Sequence, residues 1–254
     1  MPDDRRPEAW EPEEWVDEGP LRDVAEGAVT RGRTGATSPK RRSEDRSDVD
    51  VGAADLARAV GPGRAKKVET RLREAAEAFD HERFGEARSI LAPLVQQAPG
   101  SAALRELHGL TLYRLGRWKK AAEELEVFRQ LSGSTEQHPV LADCYRAQKR
   151  YAQVDELWDE LRDASPNAPL VTEGRIVVAG SLADRGRLDE AIAMLSQGFR
   201  MPKNPKLHHL RRAYALADLE ERAGDVPTAR SRFERIASID PDFADARARS
   251  RALG

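Results

Sequence analysis

"LHGLTLYRLGRWKKAAEEL" (Leu107–Leu125) reads as helix from end to end, yet it contains Gly109 and Gly116. A glycine in a helix interior costs about 1 kcal/mol relative to alanine. A helical stretch that accepts two of them within eight positions needs a reason, and the reason lies in how the stretch recurs along the chain.

Gly109 and Ala121 are small residues twelve positions apart. The same pairing recurs as Ala75 with Ala87, Ala142 with Val154, Ala179 with Ala191, and Ala217 with Ala229. Steps of 34, 33, 37 and 38 residues separate the second members. Four residues after each second member stands a large apolar side chain: Leu91, Leu125, Trp158, Leu195 and Phe233. Three before it stand Phe84, Trp118, Tyr151, Leu188 and Val226. Twelve after it lie the breakers Pro99, Pro166 and Pro241, with Gly133 in a fourth case.

The pattern has a mechanical meaning. Two helices of about a dozen residues, folded into an antiparallel hairpin, place small residues where their axes cross and large ones in the hollows beside the crossing. Gly116, Gly186 and Gly224 precede the second helix, where a tight turn favours glycine. Gly109 is then a crossing residue, and Gly116 belongs to the turn.

A repeat near 34 residues, with "LHGLTLYRLGRWKKAAEEL", "RGRLDEAIAML" (Arg185–Leu195) and "AGDVPTARSRFERIASIDP" (Ala223–Pro241), resembles the tetratricopeptide repeat family. The resemblance implies an all-α, right-handed solenoid of about five helix-turn-helix repeats. These fall near residues 68–101, 102–134, 135–168, 172–205 and 210–243. "FADARARSRAL" (Phe243–Leu253) is expected to cap the C-terminal end, as repeat stacks require. The longer spacing of the last two repeats points to an extended connection around "GFRMPKNPK" (Gly198–Lys206). A narrower likeness, carried by "LSGSTEQHPVLADCYRAQKRY" (Leu131–Tyr151), is to small actinobacterial proteins of this family with a charged leading tail and no assigned activity.

Residues 1–51 differ in kind from residues 52–254. Up to Glu26 there are ten acids and three arginines, with Trp10 and Trp15 inside "EAWEPEEW" (Glu8–Trp15). From Arg31 to Arg46 there are six basic residues and two acids. Such composition cannot bury enough apolar surface to offset chain entropy, so a disordered tail is expected. "AADLARAV" (Ala53–Val60) is a short helix closed by Gly61–Gly63, and "RIVVAG" (Arg175–Gly180) is strand-like but flanked by helix formers, so helix is expected there too.

Several chemistries lack the residues they would need. The single cysteine excludes an internal disulfide, and no Cys/His cluster has zinc spacing. Cys144 reads as a small buried residue, since no base accompanies it. Adjacent helical side chains point about 100° apart, so the pair His208–His209 is not expected to form a metal site. "GPGRAKK" (Gly61–Lys67) lacks the strand and the spacing of a phosphate loop. No catalytic constellation and no cofactor are expected. The N-terminus carries no hydrophobic signal region and no stretch approaches a membrane span, so cytoplasm is the expected compartment.

What the resemblance implies instead is capture of a protein or peptide segment in the groove lined by the first helix of each repeat. Register places Phe79, Glu106, Tyr113, Arg114, Asp143, Arg146, Tyr214, Asp218 and Arg222 on that face. Tyr and Arg are enriched at interface hot spots, although the same residues serve equally as ordinary solvated helix positions. The Lys/Asn clamp of the family's chaperone-tail binders is missing, because no asparagine falls on any of these first helices. Trp10 and Trp15 are candidates for a binding motif, or for self-docking of the tail into the groove. The alternative function is RNA or ribosome association through residues 31–46, although the net charge of -2 argues against a whole-protein nucleic-acid footprint.

Overall fold

The computed structural model describes Leu56 and residues 58–254. The expected disordered tail, its two tryptophans and its basic stretch lie outside the described residues.

The helices follow in order α1 (Pro62–Asp80), α2 (Phe84–Gln97), α3 (Ala102–Arg114), α4 (Trp118–Ser132), α5 (His138–Ala147) and α6 (Tyr151–Ala164). They continue as α7 (Ala168–Asp184), α8 (Leu188–Ser196), α9 (Leu207–Arg222), α10 (Val226–Ile239) and α11 (Ala246–Ala252). No strand occurs among the described residues, and "RIVVAG" lies inside α7. Gly61, at φ 79°, breaks the chain before α1, which begins within the Gly-Pro-Gly stretch rather than after it.

Helices pair as α1/α2, α3/α4, α5/α6, α7/α8 and α9/α10, and α11 packs on α10 in the place of a further first helix. All five predicted small pairs are buried, and so are Leu91, Leu125, Trp158, Leu195 and Phe233. The residues three before the second small member behave differently. Phe84, Trp118, Tyr151 and Leu188 are half-buried and Val226 is exposed. Phe84 and Trp118 instead pack edge-on against Phe79 and Tyr113, with ring centroids 5.3 and 5.1 Å apart, and close the turn end of the hairpin.

The hairpin turns share one left-handed residue. Gly116, Gly186 and Gly224 hold it at φ 69°, 75° and 84°, but Glu82 and Lys149 hold it at 58° and 57°. A residue with a Cβ pays about 1–2 kcal/mol in that region. Lys149→Gly is therefore expected to raise stability by about 1 kcal/mol, after the entropy cost of glycine is subtracted. An unchanged urea midpoint would show that this turn is unstrained.

Side-chain caps start three helices: Ser101 accepts from the Leu104 amide, Asn167 from Leu170 and Asp225 from Thr228. The interior divides into three apolar clusters. The first runs from Leu56 to Val178, the second surrounds α8, and the third fills the space between α9, α10 and α11. Phe199, on the connection from α8 to α9, packs on both the second and the third.

Candidate partner-binding face

The first helices touch one another in sequence, α1 with α3, α3 with α5, α5 with α7 and α7 with α9. Second helices reach the next hairpin through its first helix. α1, α3, α5, α7 and α9 thus line one continuous face of the stack, the inner wall expected of such a solenoid.

From α3 to α11 that wall is tied together by a ladder of polar contacts, most of them between residues 28 to 38 positions apart. The Tyr113 hydroxyl on α3 donates to Asp143 Oδ2 on α5 at 2.8 Å. Arg146 donates from Nη1 to Asp143 Oδ1 at 3.4 Å, and from Nε and Nη2 to the two oxygens of Asp184 on α7 at 2.6 and 3.1 Å. Arg211 on α9 holds both oxygens of Glu173 on α7. Tyr214 donates to Asp245. Arg249 on α11 reaches Asp218 at 2.8 Å and also binds Glu221.

These groups are buried despite their polarity: Arg146 is 9% exposed, Asp143 8% and Arg211 3%. Buried charge of this kind persists only when paired and hydrogen-bonded. The backbone contributes as well. A Cβ on Gly180 would stand 3.0 Å from Arg146 Cζ, so glycine there lets the guanidinium lie against α7. Burial pushes the Tyr214 hydroxyl up, and its bond to Asp245 adds to the effect. Burial also pushes the Glu173 carboxyl up, against the pull of Arg211.

The predicted face residues therefore divide. Phe79, Tyr113 and Tyr214 are 4%, 1% and 0% exposed, which makes them core and ladder residues rather than open anchors. Their rings fill hairpin interiors, a use that register alone does not separate from groove lining. Asp143, Arg146 and Asp218 lie on the wall but are engaged in the ladder. Glu106 and Arg222 retain exposure, whereas the Arg114 side chain is only 11% exposed. Glu106 accepts from Gln137 at 2.8 Å, Arg114 lies 4.4 Å over the Phe84 ring, and Arg222 stands 3.9 Å from Asp218. Glu173, Arg211, Asp245 and Arg249 were not singled out from sequence. Their signal is opposite charge at matched positions: Glu173 and Arg211 each lie six residues before a small crossing residue.

The other candidates behave as structure. Cys144 is fully buried, and burial, reinforced by Asp143, pushes its thiol well up, which holds it protonated and unreactive. His209 Nδ1 accepts from the Lys206 amide at the start of α9, a capping role. Among the described residues no group of His, Cys, Asp and Glu converges to hold a metal, and no helix is long and apolar enough to cross a membrane.

One buried histidine has a pH consequence. His138 Nε2 lies 2.8 Å from Glu160, whose charge Arg129 also holds at 2.8 Å. Burial, with the Arg129 charge adding to it, pulls the His138 pKa below its usual value against the pull of Glu160. Burial pushes the Glu160 carboxyl up, but hydrogen bonds from His138 and Arg129 carry it below the usual range. The pair is thus neutral imidazole with carboxylate, the arginine supplying the counter-charge. A depressed histidine favours the fold above its unfolded pKa of about 6.5 and costs stability as pH falls below it. Urea midpoints are expected to fall from pH 7 to pH 5, and His138→Asn should flatten that slope. An equal slope in the variant would assign the dependence elsewhere.

No family model matches this chain, and no curated protein matches it. Two solved structures superpose on most of it. A thermophilic tetratricopeptide repeat protein of Thermus thermophilus does so with a TM-score of 0.56 and 18% identity, over 73% of this chain and 98% of the other. PilF of Pseudomonas aeruginosa does so at 0.53 and 15%, over 75% and 90%. The fold is the tetratricopeptide-type helical solenoid. At such identities the likeness speaks for the fold alone, and the solenoid's task rests on its own residues.

Proposed function

We propose that this solenoid is a non-enzymatic protein-interaction scaffold that holds a partner's segment along its inner wall. The ladder supports this reading most directly. It joins α3, α5, α7 and α9 into one pre-organised surface, and pre-organisation lowers the ordering cost of binding. Glu106 and Arg222 are expected wall residues with exposure left to meet a partner.

A photo-crosslinking residue at Glu106 or Arg222, introduced into the full chain in its source cells, is expected to trap a protein. The same residue at Lys119, exposed on α4, is the control. Equal trapping at all three positions, or none at the wall, would refute the wall as the binding face. The RNA-association reading rests on residues 31–46, outside the described residues, and no feature of the wall favours it.

A further inference from the structure

From Ala191 to Ala217 the chain holds no Asp or Glu, but carries Arg200, Lys203, Lys206, Arg211 and Arg212, with His208 and His209. In a chain whose acids outnumber its bases, 27 residues without a carboxylate stand out. They form the end of α8, the connection to α9 and the first part of α9.

Two guanidiniums meet there. Arg212 donates from Nε to the Leu195 carbonyl at 2.8 Å and from Nη2 to Gln197 at 2.7 Å. Arg175 on α7 donates from Nη1 to the Met194 carbonyl at 3.2 Å. Each lies near an aromatic ring, Arg212 at 4.8 Å from the Phe199 centroid and Arg175 at 5.5 Å from that of Trp158. Arg211 belongs to Glu173, but no carboxylate among the described residues pairs with Arg175 or Arg212.

Burial, with Arg175 adding repulsion, pushes Arg212 down to about 10. Burial also lowers Arg175. His208 is lowered by burial, then by His209 and Lys206. Like charges are gathered and partly desolvated here, and the carbonyls at the end of α8 only partly offset that. Arg212 Nη1 and Arg175 Nε and Nη2 stay available for an anion among the described residues. Arg200, Lys203 and Lys206 are exposed on the same connection, and Phe199 and Met201 are half-buried beside them.

We propose that the junction of α7, α8 and α9 is a docking site for an acidic, aromatic segment, and that residues 8–18 of this chain occupy it. "EAWEPEEWVDE" (Glu8–Glu18) carries six carboxylates and two tryptophans, and no Lys or Arg. Its carboxylates match the unpaired guanidiniums, and Trp10 and Trp15 match the half-buried Phe199 and Met201. The reach suffices. Leu56 to α9 spans four first-helix steps, about 40 Å at helix-packing distances. The 37 residues between Glu18 and Leu56 extend to about 120 Å. The site uses none of the ladder pairs, so it stands or falls apart from the wall reading.

The test uses the full chain, intact or with residues 8–18 neutralised (E8Q, E11Q, E13Q, E14Q, D17N, E18Q), and a synthetic peptide of residues 8–18 as probe. The neutralised chain is expected to bind the peptide saturably. The intact chain should bind it at least tenfold more weakly, because its own segment competes. Adding Arg200→Glu, Lys203→Glu and Lys206→Glu to the neutralised chain should cost at least tenfold in peptide affinity. These side chains are exposed, and an unchanged melting curve verifies the fold.

Equal peptide affinity for intact and neutralised chains would overturn the self-docking assignment. Affinity indifferent to the three reversals would overturn the site. Binding of a short single-stranded RNA without binding of the peptide would make the patch a nucleic-acid surface and overturn the proposal. Carbodiimide coupling in an equal mixture of light and heavy-isotope chains should join residues 8–18 to Lys203 or Lys206 within one chain. Coupling only between light and heavy chains would reassign the occupant to a second copy.

Discussion

Gly109→Leu is expected to destabilise the solenoid by about 3 kcal/mol, a fall in melting temperature of about 6–12 °C for a domain of this size. A Cβ at this position would stand 2.7 Å from both Cγ and Cδ2 of Leu125 and 3.3 Å from its amide nitrogen. Leu125 is 1% exposed and cannot swing aside, and the backbone of α4 stands directly behind it. The clash therefore pushes α3 and α4 apart. Gly109→Ala is the sharper probe, because alanine regains about 1 kcal/mol of helix propensity. A net loss for alanine, despite that gain, would assign the cost to the crossing itself. Thermal melting of both variants decides it, and no loss for the leucine variant would sink the register shared by all five hairpins.

Arg146→Ala is expected to cost about 3 kcal/mol in urea unfolding, because one truncation strands the buried carboxylate of Asp143 and the half-buried one of Asp184. Asp143 would keep only the Tyr113 hydroxyl of the partners described above, and Asp184 would lose both guanidinium contacts. Neutralising the stranded acids discriminates between pairing and packing. Arg146→Met with Asp143→Asn and Asp184→Asn should recover most of the loss, since polar groups without charge bury more cheaply. A single-variant loss below about 1 kcal/mol would mean that water reaches these groups and the ladder carries little load.

How far the sequence foretold this molecule depends on which physics each residue serves. The small pairs and the large residues four positions on were legible because helix crossing imposes a spacing that leaves a period in the chain. Gly116, Gly186 and Gly224 were legible as turns, but Glu82 and Lys149 were not, since nothing in a Lys or Glu announces φ of 57° or 58°. The candidate face was legible by register and not by exposure. Tyr113 and Tyr214 occupy the groove-side positions of their helices, yet hairpin closure buries their rings. Whether a helix position faces solvent or the neighbouring hairpin depends on curvature, which a single repeat does not encode. The crossing at Gly109 was likewise only half read. Its tightest neighbour is Leu125, one turn beyond Ala121.

The division of the interior into three clusters gives the chain an order of failure. Nearest-neighbour solenoids unfold as coupled units rather than as one block. The last unit, α9 to α11 around Tyr214 and Phe233, meets the rest largely through α7, α8 and Phe199. Amide protons there should exchange before those of α3 to α6 do. A ligand that grips helices on both sides of that seam would then act as a staple, and its arrival would register as a gain in cooperativity as well as in affinity. For a molecule built this way, the sharpness of the unfolding transition is itself a signal of occupancy.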